Sequence, residues 1–114
     1  MVYKDTMKLF PCPYLQDEVI LTDEREQHIT ERHPDFLPQY KQYVAETVLK
    51  PLHIRRSRRA NNALLFYRWF DDIKQGNYVV VSVITDNAPR IHPWIITAYL
   101  STRLPKGDIV WQQP

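Results

Sequence analysis

Tyr78-Val79-Val80-Val81-Ser82-Val83-Ile84-Thr85 is the stretch that settles the fold class. Nearly every residue in it favours extended backbone, and it is apolar at both odd and even positions. A strand buried on both faces has that character, so it belongs at the centre of a sheet. Upstream, Lys74 to Asn77 contains Gly76 and reads as the hairpin leading into it. Ala63 to Phe70 is an aromatic-rich strand, Ala60-Asn61-Asn62 is turn chemistry, and Leu52-His53-Ile54-Arg55 alternates like a shorter strand. Downstream, Asp86-Asn87-Ala88-Pro89 turns the chain into a strand over Trp94 to Thr102. Pro105 to Gly107 then marks a loop, and Ile109-Val110-Trp111 a terminal short strand.

The first half has a different character. Residues 7–22 alternate prolines with short apolar pieces, and only Val19-Ile20-Leu21 reads as a short strand or extended lead-in. Thr22 and Asp23 offer a helix N-cap, and Glu24 and Glu26 place negative charge in the first turn. Pro34 disfavours helical geometry at the residue before it, which ends that helix near His33. A second helix fits Pro38 to about Val48, with Tyr40, Val44, Thr47 and Val48 at helical spacing and Pro51 beyond it. Two helices followed by a strand meander make an α+β pattern, with the helical N-terminal half packed on a sheet from the C-terminal half. No internal repeat competes with it.

The 114 residues suit one domain, 1–114, with a core over about 19–111. Two isolated glycines, Gly76 and Gly107, cannot build a Gly-rich phosphate loop or a dinucleotide fingerprint. The single cysteine, Cys12, permits no intrachain disulfide and reads as a small buried hydrophobe. The N-terminus lacks the apolar core of a signal peptide, and no apolar run reaches the roughly 20 residues of a membrane helix. A cytoplasmic location without membrane attachment is therefore expected. Net charge is only +2, but no acid falls between Glu46 and Asp71, while Lys50, Arg55, Arg56, Arg58, Arg59 and Arg68 do. That asymmetry suggests one electropositive face and a phosphate-rich partner. The Arg55-Arg56-Ser57-Arg58-Arg59 run is either a solvated loop or a set of phosphate contacts.

His28 and Arg32, four apart, share a helix face and form a plausible phosphate-handling pair. His33 at the helix end can equally cap the C-terminus, and His28 can equally sit in a core interface. The two histidines lie roughly 140° apart around a helix of 3.6 residues per turn, which does not suit zinc, and neither a metal nor another cofactor is expected. In the last long strand Thr97 and Tyr99 share a face, opposite Ala98 and Leu100. Arg68 shares a face with Phe66 and Phe70, where it either meets a negative group or snorkels at the sheet rim.

Taken in order, Ile20-Leu21-Thr22, His28-Ile29-x-x-Arg32-His33-Pro34, Leu49-Lys50-Pro51, Tyr67-Arg68, Tyr78 to Ile84 and Ile96-Thr97-Ala98-Tyr99-Leu100 resemble one family. It is the small phage- and plasmid-associated branch of the nucleases grouped with barnase, EndoU, colicin ribonuclease and RelE-type toxins. The resemblance implies N-terminal helices packed on a roughly four-stranded antiparallel sheet, and metal-independent RNA cleavage. It places family motif residues on His28, Arg32, His33, Thr97 and Tyr99, and allows an inhibitory antitoxin-like protein as partner. The arginine run is a departure from the family pattern. The chemistry agrees, because the 2′-hydroxyl of RNA can attack its own phosphate given a base, an acid and a cation. His28 is the expected acid or base, Arg32 and Arg68 the phosphate ligands, and Thr97 and Tyr99 the orienting or proton-donating hydroxyls. Convergence of His28, Arg32, Thr97 and Tyr99 in one cleft would favour cleavage; scatter would favour a silent RNA- or protein-binding domain.

Overall fold

Alternation and turn chemistry carry through to the elements of the computed structural model, which describes residues 7–60, 62–85, 92–104 and 106–114. They run β1 (Met7–Cys12), β2 (Asp17–Thr22), α1 (Asp23–Arg32), α2 (Lys41–Leu49), β3 (His53–Arg56), β4 (Ala63–Phe70), β5 (Asn77–Ile84), β6 (Trp94–Ser101) and β7 (Ile109–Gln112). The turns expected at Asn61 and over residues 86–89 lie outside the described residues, as do Pro105 and residues 1–6 of the leading stretch.

The expected architecture needs correction. The sheet has seven strands, not about four, in the order β1-β2-β6-β5-β4-β3-β7, and it is mixed rather than antiparallel. It curls as a half-barrel and dominates the fold, and among the described residues two α-helices and a 3-10 turn over Pro13–Leu15 accompany it. Nor is the N-terminal half all helix: β1 and β2 form an antiparallel hairpin that joins the sheet when Ile20 of β2 pairs in parallel with Trp94 of β6. The physical reason is edge protection. The meander β4-β5-β6 has long edges, and the β1-β2 hairpin covers one while the short strands β3 and β7 cover the other. β1 escaped the sequence pattern because of Pro11, but it is an edge strand, where a residue without an N–H is tolerated.

β5 is central, with Val79, Val80, Val81 and Val83 wholly buried. One sheet face, carrying Ile54, Leu64, Phe66, Val79, Val81, Val83, Ile95 and Ala98, forms the core with Ile29, Val44 and Val48 from the helices. The helix α2 packs on β1, β4 and β5, and α1 on β2 and β6. Pro38 falls in the turns before α2 rather than inside it; that segment instead plugs the core with Phe36 and Leu37. Thr22 caps α1 by accepting from the Arg25 N–H at 3.1 Å. Cys12 is buried in the core, and burial pushes its thiol up. Among the described residues no helix is long and apolar enough to cross a membrane.

Candidate nucleic-acid-binding face

Because strand side chains alternate, the residues that skip the core line the opposite face of the sheet. Register puts them in cross-strand rows. His53, Tyr67, Val80 and Tyr99 form one row, Arg55, Leu65, Ser82 and Thr97 a second, and Trp69, Tyr78 and Ser101 a third. The face is thus aromatic and hydroxylic, with basic groups toward β3.

Tyr67 is fully buried within it. Its ring meets the edges of His53 at 5.4 Å and Tyr78 at 6.0 Å, and its hydroxyl lies 3.3 Å from His53 Nδ1. The Arg55 guanidinium sits 5.8 Å from the ring centroid, and its Nη1 donates to the Gly107 carbonyl at 3.4 Å. Burial pushes the Tyr67 hydroxyl above the usual tyrosine range, opposed by Arg55.

Tyr99 joins this face to α1. A bulge in β6 leaves Ile96 between the pairs Ser82–Thr97 and Val83–Ile95, and the Ile96 carbonyl accepts from Arg25 Nη1 at 3.1 Å. That bond fixes α1 against β6. His33, the C-cap of the helix, then lays its ring 5.6 Å from that of Tyr99 with 31° between the planes. Burial raises the Tyr99 hydroxyl above its ordinary value, and the charge of Arg59 opposes the rise. Arg59 itself is exposed in the connection between β3 and β4.

The sequence candidates divide accordingly. His33, Thr97, Tyr99, Arg55 and Arg59 belong to this face. His28 is half-buried and Arg32 exposed on α1, and the side chain of neither makes a hydrogen bond, ion pair or ring contact with a described residue. Arg68 lies on the other side of the sheet, where its Nη1 donates to the Lys50 carbonyl at 2.7 Å and its guanidinium sits 5.6 Å from the Phe70 ring centroid. Lys50 is the C-cap of α2, so Arg68 places a cation on the negative end of that helix. The arginine run is split: Arg55 and Arg56 end β3 and alternate between faces, while Arg58 and Arg59 are exposed beyond it. His53, Arg25, Trp69 and Tyr78 are not among the candidates that the sequence offers. The strands themselves are legible in the sequence, but the rows they form depend on register.

Among the described residues no group of three or more His, Cys, Asp or Glu side chains is placed to hold a metal ion. No protein-family model matches the chain, and neither the curated proteins nor the solved structures provide a match.

Proposed function

We propose that the protein is a metal-independent ribonuclease that takes RNA over the partly exposed side chains Trp69, Tyr78, Thr97 and Tyr99, which flank the buried Tyr67 and Val80 on this face, and cleaves it beside Tyr99. The observation that carries this reading is the His33–Tyr99 ring contact on a face that also holds Thr97 and Arg55. An imidazole nitrogen with a free lone pair can accept a proton, which suits His33 to take that of the 2′-hydroxyl. A tyrosine hydroxyl carries its proton at neutral pH, which lets Tyr99 donate to the leaving 5′-oxygen, although burial makes it a weaker acid. The 2′-oxygen forms a bond to phosphorus as the bond to the 5′-oxygen breaks, giving a cyclic phosphate and a free 5′-hydroxyl. Arg59 and Arg55 supply cations to the phosphate, and Thr97 orients it. His33 thereby takes the role first assigned to His28. The motif resemblance to the barnase, EndoU, colicin and RelE nucleases supports the same chemistry, although their four-stranded sheet is not the sheet of this chain. RNA as substrate goes with a cytoplasmic setting, and an antitoxin-like protein covering the same face would silence the activity.

A second reading, RNA binding without cleavage, is favoured by a specific observation. Among the described residues no side-chain hydrogen bond joins His28, Arg32, His33, Thr97 and Tyr99 to one another. No side-chain contact among the described residues joins His28 or Arg32 to Thr97 or Tyr99, and that scatter favours binding without cleavage; the cleavage reading rests on His33 standing in for His28 beside Tyr99. Incubating the protein with total cellular RNA in EDTA separates the two. Fragments ending in cyclic phosphate are expected; RNA bound but left intact would establish the second reading. Loss of cleavage in EDTA with recovery on adding a divalent ion would refute the mechanism, and RNA neither bound nor cut would refute both.

A further inference from the structure

Trp69 is 39 % exposed on the same sheet face as Tyr99, yet its indole is held from three sides. Its Nε1 donates to Asp71 Oδ1 at 2.6 Å, and Tyr78 meets the ring edge-on at 4.9 Å. The ring also lies directly on Gly76, where any Cβ would overlap it. A tryptophan serving only the core would be covered. One that is fixed and left open is a shelf prepared for a flat ligand, and fixing it beforehand lowers the ordering cost of binding.

We infer that Trp69 and Tyr78 form a base-stacking subsite that makes the face selective for single-stranded RNA, an inference that rests on the RNA reading above. Trp69 lies two strands across and two residues along from Tyr99, roughly 12 Å at strand spacings of about 4.8 Å and 3.4 Å per residue. A short stretch of extended single strand spans that gap, so one base can stack on Trp69 while a neighbouring phosphate lies at Tyr99. The charge pattern agrees with this direction. Asp71 is tied to the indole edge, and the cations Arg55 and Arg59 lie toward the opposite end of the strands. The backbone therefore runs toward the arginines and away from the carboxylate. A paired base has no free face to offer, whereas stacking on an aromatic ring accepts any unpaired base.

The test uses an oligouridylate with 2′-O-methyl riboses, which cannot be cleaved, beside a fully paired hairpin of equal length. Trp69→Ala is expected to weaken single-strand binding by roughly 5- to 100-fold, to leave hairpin binding unchanged, and to be rescued by Trp69→Phe. Unchanged single-strand affinity in Trp69→Ala, or equal losses on both probes, would overturn the subsite. Should Trp69→Ala melt far below wild type, cross-linking of a 4-thiouridine oligonucleotide to the wild-type protein decides. An adduct on Trp69 or Tyr78 supports the subsite, and labelling elsewhere overturns it. Single-strand binding that depends on Trp69 in a protein that cuts no RNA sinks the ribonuclease and leaves the subsite standing. A wild-type protein that binds neither probe removes both.

Discussion

Glu26 is the carboxylate at which three separate elements meet, and replacing it by glutamine is the sharpest test of how the N-terminal half is held. It lies on α1, accepts from Lys8 Nζ of β1 at 2.8 Å, and pairs with Lys41 Nζ of α2 at 2.7 Å. Its side chain is only 15 % exposed, against 39 % and 34 % for the lysines. Burial alone would push its carboxyl up, but the hydrogen bonds and charges of Lys41 and Lys8 outweigh burial and hold it below the usual range. Each charge-assisted hydrogen bond is worth about 1.5–3 kcal/mol when dry and about 0.2–1 kcal/mol when exposed. With half-exposed lysines, Glu26→Gln should cost about 1–2 kcal/mol, or about 5–10 °C in Tm for a domain of this size. A depressed carboxyl stabilises the fold fully above its unfolded pKa of about 4.3, and that contribution is lost as pH falls through the lower folded value. The raised Lys8 ammonium, whose largest cause is its hydrogen bond to Glu26, behaves oppositely: its share is present below the unfolded lysine value and fades as pH rises through the folded one. Thermal melts of wild type and Glu26→Gln from pH 2 to pH 8 should therefore diverge above pH about 4 and converge at the acid end. Equal melting temperatures at pH 7, or a gap that persists at pH 2, would refute the clamp.

Three other outcomes follow from the face and its supports. His33→Gln should lower RNA cleavage by about 10²- to 10⁴-fold at near-normal Tm, while His28→Gln cleaves as wild type; the reverse pattern, read by gel assay, would return the chemistry to the α1 face. Arg55→Gln with Arg59→Gln should flatten the slope of log affinity against log salt by about 2, whereas Arg56→Gln with Arg58→Gln changes it less; equal slopes for both pairs would deny that the run is split by the sheet. Gly76 has φ 121°, so Gly76→Ala combines backbone strain of about 1–3 kcal/mol with displacement of the Trp69 ring, seen as a lower Tm and an altered tryptophan emission. An alanine variant with unchanged melting and emission would show that the ring does not rest there.

Local signals were written plainly in the chain. The β-favouring run of Tyr78 to Ile84, the Thr22 cap, the stop at Pro34 and the strand over Ala63 to Phe70 all depend on neighbours in sequence, and all appear where such neighbours place them. Thr97 and Tyr99 could be put on one face for the same reason, since alternation is a property of a single strand. Tertiary structure decided the rest. Pro11 hides β1 from any local pattern, and only its position at the sheet edge explains why a strand survives there. Arg68 reads as a phosphate ligand, but its guanidinium is taken up by the C-terminus of α2, while His33 does cap α1 and, with the helix held by the Arg25–Ile96 bond, also lays its ring against Tyr99. Composition and alternation say which residues favour strands and helices and which share a side. Which strands pair, in what register, and which helix end meets which ring follow from contacts between residues far apart in the chain, and those contacts form only when the whole sheet closes over its core.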